Sequence, residues 1–522
     1  MKKYLISMFI GLFALAPAMV QGQNAFDEYK KRKQSEFKAY KESKQKAIDD
    51  YKIRKRKEFD EYRRKKNEEF AKYLAQPWKE HEIKEGIKSP IEKEIKPIIY
   101  QGKEEENKQG KEIKGEVVPI EKLIPHPQPE PIVPIIENEE TTDYGSFTFY
   151  GTTLKVRWGD IEKFRLSNIN EKTIANAYKE LTSTKYNNLM SDCLELRKNY
   201  DLCDWGYFQM LKILAETACG KQTNEAVFLQ GFLYQESGYI MRFGINPTDR
   251  KLHLLVRING SAYNSNYYMV NNNIYYLFDG CKAKNLKITD FGKEKGKEMR
   301  MEIEKLPRLA VSLSKDRTIT APSYPISVKT NVNKNLVFFF NDYPTSYCNN
   351  DFMTRWAYYA NTPLSEEVKE RVYPVLREKL TNTTQVMAVN MLLNWVQPPY
   401  NNKNATDGSQ IGFPYLYDND VWGQDRAFFA EETFYYPGSD CEDHAILFSH
   451  LVRDLLGLDV ALVYYPKHLA TAVCFDEEVK GDYIILNNRK FVVADPTYSR
   501  ARVGMTMPQC QGKETKVILC NR

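Results

Sequence analysis

Gly438-Ser-Asp-Cys441-Glu-Asp-His444-Ala-Ile-Leu-Phe-Ser-His450-Leu-Val-Arg-Asp-Leu-Leu-Gly457 is the stretch from which the fold of this 522-residue chain can be read. Ala445, Leu447, Phe448, Leu451, Val452 and Leu455 recur at helical spacing and make one buried face. Ser439 or Asp440 can cap the start, and Gly457 is placed to end it. Cys441 therefore falls in the first turn. There the helix dipole and the unpaired N–H groups favour a thiolate over a thiol, which is the condition a cysteine nucleophile needs.

Past Gly457 the pattern turns to strands: Val460 to Tyr465, then His468 to Phe475 after a turn at Pro466-Lys467. A hairpin follows, Tyr483 to Leu486 and Phe491 to Asp495, turning at Asn487-Asn488. His468 begins one strand and Asp495 ends its neighbour. A sheet packed on the helix can bring both to Cys441, with the thiol as nucleophile, the imidazole as its base and the carboxylate fixing the tautomer.

These residues resemble the transglutaminase-like branch of the papain-like cysteine enzymes. The match lies in Asp440-Cys441-Glu442-Asp443, Lys467-His468-Leu469-Ala470 and Val493-Ala494-Asp495-Pro496, over about residues 364 to 510. Both separations, Cys441 to His468 and His468 to Asp495, are 27 residues. The resemblance implies an α+β fold with a helix packed on an antiparallel sheet, and a catalytic Cys441, His468 and Asp495. An oxyanion donor is also required. Gln397, at the end of an upstream helix that looks like the family's N-terminal one, is the candidate; the side chains of Trp422 and Gln424 are rivals, and the backbone N–H of Cys441 is a second donor.

In an exported chain nine cysteines point to disulfides with at least one thiol left over; Cys193/Cys203 and Cys510/Cys520 have short connecting loops, the connectivity stays open, and Cys441 is expected to be a free, reactive thiol. Cys474 reads as core or disulfide-bonded. A metal set of Cys441, His444 and His450 fails because, at about 100° per residue, His450 lies on the far side of the helix from Cys441. No cofactor or metal is expected, and His444 and His450 read as packing residues.

The middle of the chain repeats the plan. Setting Ala226 on Ala445 puts Gly238 on Gly457 and Gln222 at the place of Cys441, while Met269 to Asp279 parallels Ile485 to Asp495. His253 precedes Asp279 by 26 residues. Gln222, His253 and Asp279 are thus expected to be a degenerate site in a second, silent copy, with Cys219 as the one candidate for a displaced nucleophile.

Met1-Lys2-Lys3 and the apolar run Tyr4 to Val20 read as a secretory signal, so an exported, soluble chain in the periplasm or outside the cell is expected. From Phe26 to Tyr73 the sequence repeats every 11 residues, with Phe26, Phe37, Ile48, Phe59 and Phe70 followed three residues on by Tyr29, Tyr40, Tyr51, Tyr62 and Tyr73. That period gives a nearly straight helix, or a slightly right-handed coiled coil if helices associate. The arm holds 18 Lys/Arg against 11 Asp/Glu, which leaves the remainder slightly acidic despite a net charge of +6. A nucleic-acid-binding core is excluded on that ground. The Lys/Glu/Ile/Pro tract that follows, with His126 as solvated filler, reads as an extended linker.

The expected order is a signal peptide (1–22), a helical arm (23–76), a linker (77–143), a degenerate transglutaminase-like domain (144–290), a β-rich connector (291–363) and a catalytic domain (364–522). The expected function is cysteine-dependent acyl transfer on a peptide or isopeptide amide, hydrolysis being favoured over transamidation, with a peptide or protein substrate from the cell wall or an extracellular polypeptide. The arm serves self-association or envelope contact. The competing class is a non-catalytic envelope scaffold that binds peptides.

Overall fold

The computed structural model describes residues 4–86, 95–102, 110–120, 128–130, 135, 137, 143–289, 296–348, 351–400, 409–423 and 425–520, with side chains from residue 26 onward except at 419. The fold is α+β. One helix runs unbroken from Tyr4 to Leu74, about 105 Å at ~1.5 Å per residue. As far as Lys66 it forms a compact unit of its own. Phe26, Tyr29, Phe37, Tyr40, Ile48, Tyr51, Phe59 and Tyr62 are all exposed along it. A cation four residues on covers several of these rings, Lys41 over Phe37 and Lys44 over Tyr40 among them. Among the described residues no helix is long and apolar enough to cross a membrane.

The second unit, which begins at Asn67, contains two sheets built on one plan. In the middle of the chain the helices Asp204–Cys219 and Asn224–Glu236 pack together, and the second lies on strands Met241–Ile245 and Leu252–Val256. Thr223 caps this helix by accepting from Ala226 N, and Gly220 closes the preceding one with φ 97°. The strand order is Tyr267–Val270, Asn273–Leu277, Leu252–Val256, Met241–Ile245, Asn285–Ile288, then Lys79–Lys84.

In the C-terminal part Gln385–Val396 packs on Cys441–Leu456, which lies on strands Asp459–Tyr465 and His468–Cys474. The order here is Tyr483–Leu486, Arg489–Ala494, His468–Cys474, Asp459–Tyr465, Lys516–Leu519, then Glu116–Val117. Helix, hairpin, hairpin and returning strand therefore follow the same path twice. In each case the sixth strand comes from the tract before residue 120. Lys79–Lys84 pairs on both sides, with Asn285–Ile288 and with Tyr267–Tyr268, and closes a barrel; Glu116–Val117 adds in parallel to Lys516–Val517.

That tract is accordingly not the linker its composition suggested. Ile95 N donates to Lys467 O, Tyr100 N to Ser499 O and Ile113 N to Tyr483 O. Ile95, Ile98, Tyr100 and Ile113 cover a core of Ala461, Val463, Tyr465, Ala470, Ala472 and Phe491. A polar, Pro-rich sequence suffices because it supplies a barrel-closing strand, an edge strand and a strap, with one face in solvent. His126 lies outside the described residues.

Two further expectations are corrected. The connector holds helices as well as strands: Lys334–Asn341 is helical, capped by Asn333 and burying Leu336, Val337, Phe339 and Phe340 at helical spacing. All nine cysteines are free thiols. Cys203 instead caps the Asp204 helix, its sulfur accepting from Gly206 N at 3.4 Å, and Cys193 is fully buried in a different helix. Cys474 sits in the C-terminal core.

Candidate active site

Asp440 precedes the first helical turn and its N–H is held by the Asp443 carboxylate at 3.3 Å. This places Cys441 as the first helical residue. Its sulfur accepts the Leu469 N–H at 3.4 Å, so the thiol abuts the start of the strand that His468 heads. His468 Nε2 lies 2.8 Å from Asp495 Oδ2. The other oxygen of Asp495 accepts from Thr497 N, Thr497 Oγ1 and Tyr498 N at 3.0, 3.0 and 3.2 Å. Burial alone would raise the Asp495 pKa, but the imidazole and these donors outweigh it and hold the carboxyl below its ordinary value. His468 Nδ1 is buried with no hydrogen-bond partner.

The site is closed: Cys441, His468 and Asp495 are each 2% exposed. Cys441 Sγ donates to Glu442 Oε2 at 3.3 Å, and the fully buried Arg355 faces Glu442 at 3.8 Å and Asp425 at 2.9 Å. Phe428 N donates to Asp443 Oδ1. Burial, with Asp418 and Glu442 nearby, pushes the Asp443 carboxyl well above its usual range. His444 lies with Nδ1 2.6 Å from Asp440 O and Nε2 3.0 Å from Phe413 O, so it clamps the chain at Phe413 onto the helix start. Burial lowers the pKa of His444, and more strongly that of His450. Among the described residues no cluster of potential metal ligands includes Cys441.

Gln397 does not face the thiol. Its Nε2 donates to Tyr498 O at 2.8 Å and Ala501 O at 2.9 Å, and its Oε1 accepts from Arg500 N at 3.2 Å. Both amide protons are spent on bracing the loop after Asp495. Trp422 packs edge-on against Phe428 and Tyr436, with Arg426 over its ring; Gln424 lies outside the described residues.

In the middle domain the register Leu255↔Leu277 carries His253 opposite Asp279, and His253 Nδ1 lies 2.7 Å from Asp279 Oδ2. Gln222 is not at the helix start. It precedes the Thr223 cap with φ 57°, and Asn224 occupies the first helical position. Asn224 Oδ1 accepts the Leu252 N–H at 2.8 Å, much as Cys441 accepts that of Leu469. The shift arises because this helix is 13 residues long against 16 for its counterpart, so aligning the closing glycines misplaces the start.

Cys219 is held elsewhere, its thiol 3.9 Å from Ile161 O and pushed up to about 11 by burial. The thiol beside His253 is Cys281, with Sγ 3.5 Å from Nε2, a contact the sequence reading missed. The signal was Asp279-Gly280-Cys281, which puts a carboxylate and a thiol two residues apart within reach of one imidazole. His253, Asp279, Cys281 and Gln222 line a cavity of about 830 Å³.

No family model, curated protein or solved structure matches this chain.

Proposed function

We propose that the C-terminal part of the chain is a transglutaminase-like cysteine acyl-transfer enzyme. The observation that carries the reading is the constellation of a helix-start thiol bonded by Leu469 N–H, the His468–Asp495 pair at 2.8 Å, and the buried, unpartnered Nδ1 of His468. In this scheme Nδ1 takes the Cys441 proton and the sulfur attacks an amide carbonyl. The protonated imidazole then gives that proton to the leaving amine, and water resolves the thioester. Asp495 holds the ring and favours its charged form. An amine in place of water would give transamidation; hydrolysis is the favoured outcome, on a peptide or isopeptide bond of an envelope-associated polypeptide.

The closed site sets a condition. Chain bonded over the helix start, at Phe413 and Phe428, must move for a substrate to reach the sulfur. The oxyanion donor is then left to helix N–H groups of the first turn rather than to Gln397. Export by residues 1–22, and an arm that spaces the enzyme from a surface or self-associates, complete the proposal.

The test is mass-spectrometric profiling of peptide and isopeptide substrates with the full chain. Cleavage absent from Cys441→Ala and from His468→Ala supports the reading. Cleavage that survives in both assigns it to another site, and a chain that only binds the peptides is the envelope scaffold.

A further inference from the structure

The middle domain reads as silent only if its nucleophile must stand at the helix start. Asp279, His253 and Cys281 form a continuous relay: Asp279 Oδ2 to His253 Nδ1 at 2.7 Å, then His253 Nε2 to Cys281 Sγ at 3.5 Å. The second carboxylate oxygen accepts the N–H of Cys281 itself at 2.9 Å. The tight turn through Gly280, φ 72°, thus fixes thiol and carboxylate on opposite edges of one ring. Ala283 N donates to the sulfur at 3.4 Å. Burial would lower the His253 pKa, but its hydrogen bonds to Asp279 and Cys281 prevail and raise it to about 9.

We infer that Cys281 is the nucleophile of a second acyl-transfer site, supplied from the loop after Asp279 instead of from a helix start. Unlike Cys441, its sulfur lines a cavity of about 830 Å³, a size that holds a small-molecule ligand. Gln222 on the wall brings an amide donor. Lys212, Lys251, Lys282 and Lys284 line the same space together with Glu80, Glu216 and Asp249, charges of both signs that suit a zwitterionic amide such as a short peptide. The Cys281 thiolate attacks the carbonyl carbon and an S–C bond forms. The C–N bond breaks as the proton on His253 Nε2 passes to the departing nitrogen. Water then attacks the thioester, giving one proton to Nε2 and releasing the carboxylic product and the thiolate.

One imidazole nitrogen faces Asp279 and the other faces Cys281. A ligand atom of each of the three residues also lies within 4.8 Å of the others, so a zinc ion is the competing occupant that the experiment separates.

The experiment uses the full chain carrying Cys441→Ala, so that it stands or falls apart from the proposal for the C-terminal site. Iodoacetamide alkylation between pH 6 and 9 is followed by peptide mass mapping, and p-nitrophenyl acetate serves as an acyl probe trapped in acid. The expected result is that Cys281 is alkylated at least about tenfold faster at pH 6 than Cys219, and becomes acetylated. Both reactions should fall at least about tenfold in His253→Gln and, as a second variant should that one misfold, in Asp279→Asn. Alkylation of Cys281 that follows an ordinary thiol titration near ~8.5 and is unchanged in both variants overturns the inference. Stoichiometric zinc uptake that protects Cys281 and vanishes in Cys281→Ala overturns it too, in favour of a metal centre.

Discussion

His468 and His253 hold their aspartates with opposite ring nitrogens: Nε2 of His468 lies 2.8 Å from Asp495, whereas Nδ1 of His253 lies 2.7 Å from Asp279. The nitrogen left for a thiol is therefore Nδ1 in one domain and Nε2 in the other. A thiol must approach the two rings from different sides. Cys281 meets its ring from the loop following the carboxylate, whereas Cys441 stands at a helix start and is bonded by the Leu469 N–H, although the strands around both sites run in the same order.

The depressed Asp495 carboxyl has a consequence for acid stability. A folded pKa below the unfolded value means that its contribution is complete above about pH 4 and is lost as the pH falls through the lower folded value. Denaturant midpoints measured from pH 7 down to 3 should drop less steeply for Asp495→Asn than for the parent chain. Parallel acid limbs would show that Asp495 is not held ionised.

The opposite sign holds for His253, raised to about 9. Its contribution is complete below about pH 6.5 and disappears as the pH rises through 9. The parent chain should lose stability between pH 7 and 10 relative to His253→Gln. An unchanged difference across that range would contradict the ion-paired His253.

Gln397 separates a brace from an oxyanion donor. Gln397→Ala removes two buried hydrogen bonds and one half-buried one and should cost about 2–4 kcal/mol of stability. Any loss of turnover should accompany that destabilisation, since the change acts through the loop after Asp495. A donor to the oxyanion would instead show a ~10²–10³-fold fall in kcat at unchanged stability.

Deleting the chain before Tyr144 removes Lys79–Lys84 and Glu116–Val117, and with them the strand that closes the barrel, the edge strand of the C-terminal sheet and the strap over the C-terminal core. Such a protein should melt lower and aggregate, because unpaired edges and apolar surface are uncovered. A chain beginning at Asn67, which keeps both strands, should not. Equal melting of the two would mean that the tract contributes nothing to the fold.

The helix at Cys441, its closing Gly457 and the hairpins were legible because local signals and periodicity agree there. The strand at Lys79–Lys84 was not. It reads Lys-Glu-His-Glu-Ile-Lys with only His81 and Ile83 turned partly inward, so its pairing is visible only once its distant partners are folded. Gln397 could be placed at a helix end, but the direction of its amide depends on the loop 101 residues later that it braces. The burial of the Cys441 thiol, its bond to Glu442 and the Arg355 behind that carboxylate also depend on tertiary contacts. Cys281 was not legible for a different reason: it follows His253 in the chain, whereas the order read at Cys441 and His468 puts the thiol before its histidine.

The central claim concerns Cys441, and the most direct measurement is intermediate trapping in the full chain carrying Cys281→Ala. An activated peptide ester is added, the mixture is quenched in acid, and the acyl group is mapped by mass spectrometry. A thioester on Cys441 that accumulates in the parent and is absent from His468→Ala is the expected result. An unmodified Cys441 while the substrate is consumed, or equal acylation with and without His468, would contradict it.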